Sequence, residues 1–282
     1  AFRGSCRVSE QDIFTGLFSE ARRNMLAASQ RKPYPPRMML ASVRAMGRHL
    51  EYSDAEIGAL LEPAILHQLF LPPVLGTSQT ILAEVPRHLP HSFEQMRRHV
   101  SAQKHGGPVV VLMFHFSGMP LVGSLLHHAW LECGFVNQHL LIAPRNASWL
   151  SHEHAHWLRE AAETIVADRA GLRRLMTGLR NGGISHLTLL ADGPHDPASF
   201  GVTPVARVPA LGFRTGMLRW LFSSGITVIP LIHYWETERL HFEWRDPLSP
   251  ENGVESVAGL IGELLRRHPE QWLNWPAASL RT

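Results

Sequence analysis

His115 closes an unbroken apolar run, Val109 to Phe114, and is followed by Phe116-Ser117-Gly118. An imidazole titrates near neutral pH, so it can serve as a general base. At the carboxyl end of a buried strand it sits where open α/β sheets place their ligand crevices. The same residue also reads as a core histidine with a satisfied hydrogen bond. A second segment that reads as a strand, Ile184 to Ala191, closes on the apolar Leu189-Leu-Ala191 and ends in Asp192-Gly-Pro-His-Asp196-Pro197, a loop. Its two aspartates fit turn residues with local hydrogen bonds, or binding groups on a loop at a strand end. Ser117 lies too close to His115 in sequence to be a nucleophile served by it. His152-Glu-His-Ala-His156 matches H-E-x-x-H, the spacing of two zinc-binding histidines and a water-activating glutamate. It also fits a solvent-facing helix, and no third ligand can be named, so no metal is assigned. The chain contains no G-x-S-x-G elbow, no P-loop and no G-x-G-x-x-G.

These residues need elements to hold them. An apolar run without alternation predicts a strand buried on both faces. From residue 108 onward strands and helices alternate, which predicts an α/β fold with a mixed, mostly parallel sheet flanked by helices. Strands are expected at 108–114, 139–143, 184–191, 203–208, 226–234 and 239–244, the last antiparallel to its predecessor. Helices are expected at 119–133, from Ser151 to about Glu163, from Asp168 to Leu179, at 215–223 and at 254–267. Residues 1–105 read as an amino-terminal helical lobe packed on the α/β core of 106–282, the two making one compact unit. In the lobe, residues 1–35 carry no clear assignment, and Arg37 to Leu50 is a helix. Ser53 with Glu56, and Ser92 with Gln95, have capping-box spacing. Pro63 is expected to divide the helix around it, and Leu71 to Gly76 to form a turn.

The chain of 282 residues has a net charge of +3. All its basic residues are arginine except Lys32 and Lys104. Many of them fall before residue 51, which fits either a solvated surface or contact with an acidic partner. Cys6 and Cys133 form no disulfide framework or metal spacing, in keeping with a reducing, cytoplasmic setting. No transmembrane segment is expected, because the longest apolar region, around 108–126, is broken by His115 and Ser117. No aromatic-interleaved basic motif points to nucleic acid.

From about residue 55 to the end, the order of motifs resembles the bacterial lipid A biosynthesis (lauroyl/myristoyl) acyltransferases, within the lysophospholipid and glycerol-phosphate acyltransferases. Val110-Val-Leu-Met-Phe-His115-Phe-Ser-Gly118 is similar to that family's apolar strand and the histidine of its H-x-x-x-x-[DE] motif. Arg145-Asn146 lies where the family often has an arginine after its next strand, and Arg159 where it has one ahead of a helix. Leu172 to Gly183 resembles the segment before the next core strand. Leu189-Leu-Ala-Asp192-Gly-Pro resembles the strand ending in the family's aspartate. Gly225 to Pro230 and His268-Pro-Glu-Gln-Trp272-Leu-Asn-Trp275 resemble its later proline strand and closing P-x-Q-W-x-W.

The resemblance implies a glycerol-phosphate acyltransferase-like fold. It also implies acyl transfer from a thioester, on acyl carrier protein or coenzyme A, to a hydroxyl or amine acceptor, small molecule or lipid. It makes His115 and Asp192 the expected catalytic residues. Ser117, Gly118, Arg145, Arg159 and Asp196 are the expected substrate-binding residues, with amides after His115 as oxyanion donors. No bound cofactor is implied. The setting would be cytoplasmic, with peripheral contact at the inner membrane. One departure is plain: Pro120 stands where the family motif has its acid. Either Asp192 or Asp196 replaces that acid, or the acceptor is an amine, or the protein is a non-catalytic acyl-chain-binding relative.

Overall fold

The computed structural model describes residues 9–30, 36–102, 107–135, 138–142 and 163–279. Helix α1 (Glu10–Ser29) opens on a reciprocal cap: Ser9 Oγ accepts from the Asp12 amide at 3.2 Å, and Asp12 Oδ2 accepts from the Ser9 amide at 3.0 Å. Helix α2 (Arg37–Leu50) ends at Glu51, whose φ is 59°. Helix α3 (Asp54–Ile65) opens on the expected capping box of Ser53 and Glu56. Pro63 does not divide it; a π-helical turn, Leu66–Phe70, follows instead. The turn expected at 71–76 is helix α4 (Leu71–Thr77). Pro72 and Pro73 fall in its first turn, where no amide hydrogen is needed. The resulting 22-residue run, Asp54–Leu75, is long and apolar enough by length and composition to cross a membrane. Here Ala64 to His67, Leu71, Val74 and Leu75 are buried in the protein.

Two short helices, α5 (Gln79–Ala83) and α6 (Val85–His88), lead to α7 (Pro90–Ala102). The expected Ser92–Gln95 box does not form, because α7 begins two residues earlier. Glu10 of α1 caps it instead, accepting from the amides of His91 and Ser92 and from the Ser92 hydroxyl, the last at 2.8 Å.

The remaining elements follow in chain order: β1 (Val109–Met113), α8 (Met119–Glu132), β2 (Gln138–Ile142), β3 (Glu163–Val166), α9 (Arg169–Arg180), β4 (His186–Leu190), β5 (Pro194–His195), β6 (Val202–Val205), β7 (Val208–Arg214), α10 (Gly216–Ser223), β8 (Thr227–Glu236), β9 (Arg239–Trp244), α11 (Gly253–Arg267) and α12 (Trp275–Ser279). Strands β3, β5 and β7 have no counterpart among the expected strands, and β5 falls in the stretch 192–197 expected as a loop. The helix expected from Ser151 begins outside the described residues.

Six strands form one sheet in the order β3-β2-β4-β1-β8-β9. All neighbours are parallel except β8 and β9. A small antiparallel sheet, β5-β7-β6, stands apart from it. The apolar run of β1 is buried on both faces, as its pattern predicts. Val110 and Leu112 pack with α2, α9, α10 and α11. Val109, Val111 and Met113 pack with α1, α4, α7 and α8. The helices of the first hundred residues are therefore shared between the two faces of the sheet, and each completes a core begun by the strands.

Candidate functional site

Strand register brings the site together. Met113, the last residue of β1, pairs with Leu190, the last residue of β4. His115 and Asp192 each follow two positions later, so they leave the sheet side by side at its carboxyl edge. His115 Nδ1 and Asp192 Oδ1 are 2.6 Å apart. Asp192 Oδ2 accepts from the His115 amide and from the Trp272 indole, both at 2.8 Å. The side chain of Asp192 is fully buried, while that of His115 is 22 % exposed. Burial alone would raise the Asp192 carboxyl. The charge and hydrogen bonds of His115, with the Trp272 donor, outweigh that and hold it below its ordinary value. An ionised carboxylate can only accept, so the bridging proton sits on His115 Nδ1. In the neutral imidazole this leaves the lone pair on Nε2, which makes no hydrogen bond to the described residues.

The segment after α11 straps this pair in place. A 3-10 turn, Pro269–Gln271, runs into Trp272. The Leu273 amide donates to the His115 carbonyl at 2.7 Å, and the Ser117 amide donates to the Gln271 carbonyl at 3.1 Å. Asn274 donates to the Asp192 carbonyl at 3.3 Å. Gln271 clamps the Trp235 backbone of β8 through both ends of its amide, at 2.7 and 2.8 Å. Trp272 itself is fully buried. On the other side of β1, Leu112 pairs with Pro230 of β8, and His233 stands three residues beyond Pro230 as His115 does beyond Leu112. His233 is wholly buried, and burial pushes its pKa down to about 4, so it is neutral at pH 7.

His115 opens on a cavity of about 260 Å³. Leu141, Ile142, Leu189, Leu190, Met217 and Leu218 make its apolar wall. Its polar side chains are His115, His195 and Arg214. This arrangement can take a proton from a bound hydroxyl or amine while an apolar group lies against the wall.

Neither a scan against protein-family models nor a search of curated proteins finds a match to this chain.

The remaining expected site residues divide sharply. Ser117 does not face the cavity: it is fully buried, with its hydroxyl 3.0 Å from His67 Nδ1. Gly118 precedes α8 as its N-cap and permits close packing, since a Cβ there would lie 2.9 Å from Leu240 and 3.2 Å from the Trp235 indole nitrogen. Asp196 is exposed and makes a local turn, accepting from the Ala198 amide at 2.9 Å; it does not reach His115. Pro120 occupies the first turn of α8 and is buried. Of the amides expected as oxyanion donors, those of Phe116, Ser117 and Met119 are taken, bonding to the carbonyls of Phe114, Gln271 and Phe116. Arg145, Arg159 and the histidine motif at 152–156 lie outside the described residues. Among the described residues no group of three or more histidine, cysteine or acidic side chains could hold a metal.

Sequence reasoning assigned no role to Arg214 or to Trp272. Arg214 is the last residue of β7, a strand the sequence pattern did not announce. Trp272 sits in a motif quoted above, but its partner is 80 residues away.

Proposed function

We propose that this protein is an acyltransferase that moves an acyl group from a thioester to a hydroxyl or amine, with His115 as general base. The observation that carries the reading is the His115–Asp192 pair: a buried carboxylate on Nδ1, an Nε2 with no partner among the described residues, and an apolar cavity that His115 lines. In this reading Asp192 does the work of the acid missing at Pro120. It holds the imidazole in one tautomer and stabilises the imidazolium that forms. The α/β layers then correspond to a glycerol-phosphate acyltransferase-like fold.

The reaction proceeds as follows. The acceptor O–H or N–H gives its proton to Nε2 as its heteroatom attacks the thioester carbonyl carbon. The C=O electrons move onto oxygen to give a tetrahedral oxyanion. As they return, the C–S bond breaks, and the thiolate leaves and takes up the proton held by the imidazolium. Donors for the oxyanion come from the first turn of α10, of which Met217 and Leu218 line the cavity. Thr215 donates its hydroxyl to the Gly201 carbonyl and accepts from Arg219 Nε at 3.2 Å, so it does not cap that helix and the amides of the first turn have no side-chain cap. The donor is an acyl group on coenzyme A or acyl carrier protein.

The test is free-thiol release from acyl-coenzyme A and acyl-carrier thioesters, with and without a pool of alcohols and amines. His115→Ala is expected to lower acceptor-dependent release by about two to four orders of magnitude. A variant within a few-fold of wild type removes His115 from the chemistry. No release from any thioester, together with thermal stabilisation by one of them, means that the cleft binds acyl groups without transferring them.

A further inference from the structure

We infer that the cavity beside His115 takes a ligand bearing an oxyanion, a phosphate or a carboxylate, and that Arg214 is the residue that binds it. Arg214 ends β7 and lines the same cavity as His115. It is exposed, and it forms no hydrogen bond or ion pair with the described residues. Among the described residues, the two aspartates that follow β4 are committed elsewhere. Asp192 is buried against His115 and Trp272. Asp196 accepts from the Ala198 amide in its own turn. The other polar side chains of the cavity are two histidines, and the rest of its wall is apolar.

A guanidinium with no partner among the described residues, at the opening of an apolar cavity, matches an amphipathic anion. The apolar part displaces water from the leucine wall, and the charged end makes two parallel hydrogen bonds to Arg214. A volume of about 260 Å³ is roughly nine times a water molecule's share of the liquid, so the part enclosed is on the order of ten heavy atoms. The inference rests on the acyl-transfer reading only in placing that anion beside the reacting bond. Binding itself can be measured without turnover.

The test uses three probes that share a six-carbon chain: hexyl phosphate, hexanoate and 1-hexanol. Their binding is measured by calorimetry on the whole protein, as wild type, Arg214→Gln and Arg214→Lys. Wild type is expected to bind one of the two anions at least about tenfold more tightly than hexanol, the scale of a charge-assisted hydrogen bond. Whichever anion binds more tightly identifies the group as phosphate or carboxylate. Arg214→Gln is expected to remove the preference, and Arg214→Lys to keep part of it, since an ammonium keeps the charge without the fork. Equal binding of all three probes by wild type, no binding of any, or a preference that survives in Arg214→Gln overturns the inference. Loss of thiol release in His115→Ala with no anion preference would sink this inference while leaving the acyl-transfer reading standing.

Discussion

At the scale of single residues, the site depends on which atom of His115 holds a proton. Asp192 decides that, and Trp272 in turn keeps Asp192 charged and aimed. Trp272→Phe keeps the buried ring and removes only the N–H. Losing a hydrogen bond to a charged group is expected to lower kcat about ten- to a hundred-fold with little change in KM. With one donor gone the Asp192 carboxyl rises and holds the imidazole less firmly. Measuring kcat and KM in the thiol-release assay checks this; an unchanged kcat contradicts the role given to Trp272. His115 and Asp192 were each legible in the sequence, as polar residues closing apolar runs. Their pairing was one of two open choices, Asp192 or Asp196, and with 77 residues between His115 and Asp192 only the fold decides between them. Ser117 and Gly118, expected at the cavity, are packed against the core instead. Nearness to His115 in sequence says nothing about which side of the turn a residue faces, and the turn puts both against the core.

At the scale of elements, caps show how far local reading reaches. The Ser53–Glu56 box is a contact across three residues, and its spacing alone announced it. The Ser92–Gln95 spacing is just as good, yet the amides at the start of α7 go to Glu10, 82 residues away from Ser92. A carboxylate reaching in from another helix can satisfy several donors at once, and it also pins α1 to α7. Glu10→Ala is expected to cost about 1 kcal/mol, within the usual range for a lost cap. That lowers Tm by roughly 2–4 °C. Gln95→Ala, an exposed change, is expected to stay within about 0.5 kcal/mol. Thermal melts of the two variants side by side would decide the matter; a larger loss in Gln95→Ala would return the cap to the local box.

At the scale of the whole molecule, the sheet buries imidazoles as well as aliphatics. Burial pushes His67, His127, His186 and His233 down to about 4. In the unfolded chain each returns to its ordinary value near 6.5. Between those values the unfolded chain binds more protons, so stability is fully present above about pH 6.5 and falls as pH drops toward 4. For each histidine that is neutral when folded and charged when unfolded, the loss is about 1.4 kcal/mol per pH unit inside that window. Melts from pH 8 to pH 4 are expected to hold nearly level to about 6.5 and then drop steeply. A flat curve down to pH 5 would contradict the burial of these four rings. The arginine-rich start of the chain is partly spent inside the molecule too, since Arg22 pairs with Glu238 after β8.

What the sequence determined by itself was local. An unbroken apolar run made β1 a strand buried on both faces, residue types at fixed spacing opened α3 and α9, and alternating strand and helix patterns made the sheet mostly parallel. Each of these follows from contacts within a few residues or from the need to bury a run on both faces. Only the tertiary structure decided that β4 lies beside β1, although β2 and β3 come between them in the chain. That adjacency sets Asp192 against His115, and the return of the segment after α11 brings Trp272 onto both. Strand order is chosen by how whole layers bury their faces, and no spacing along the chain encodes it.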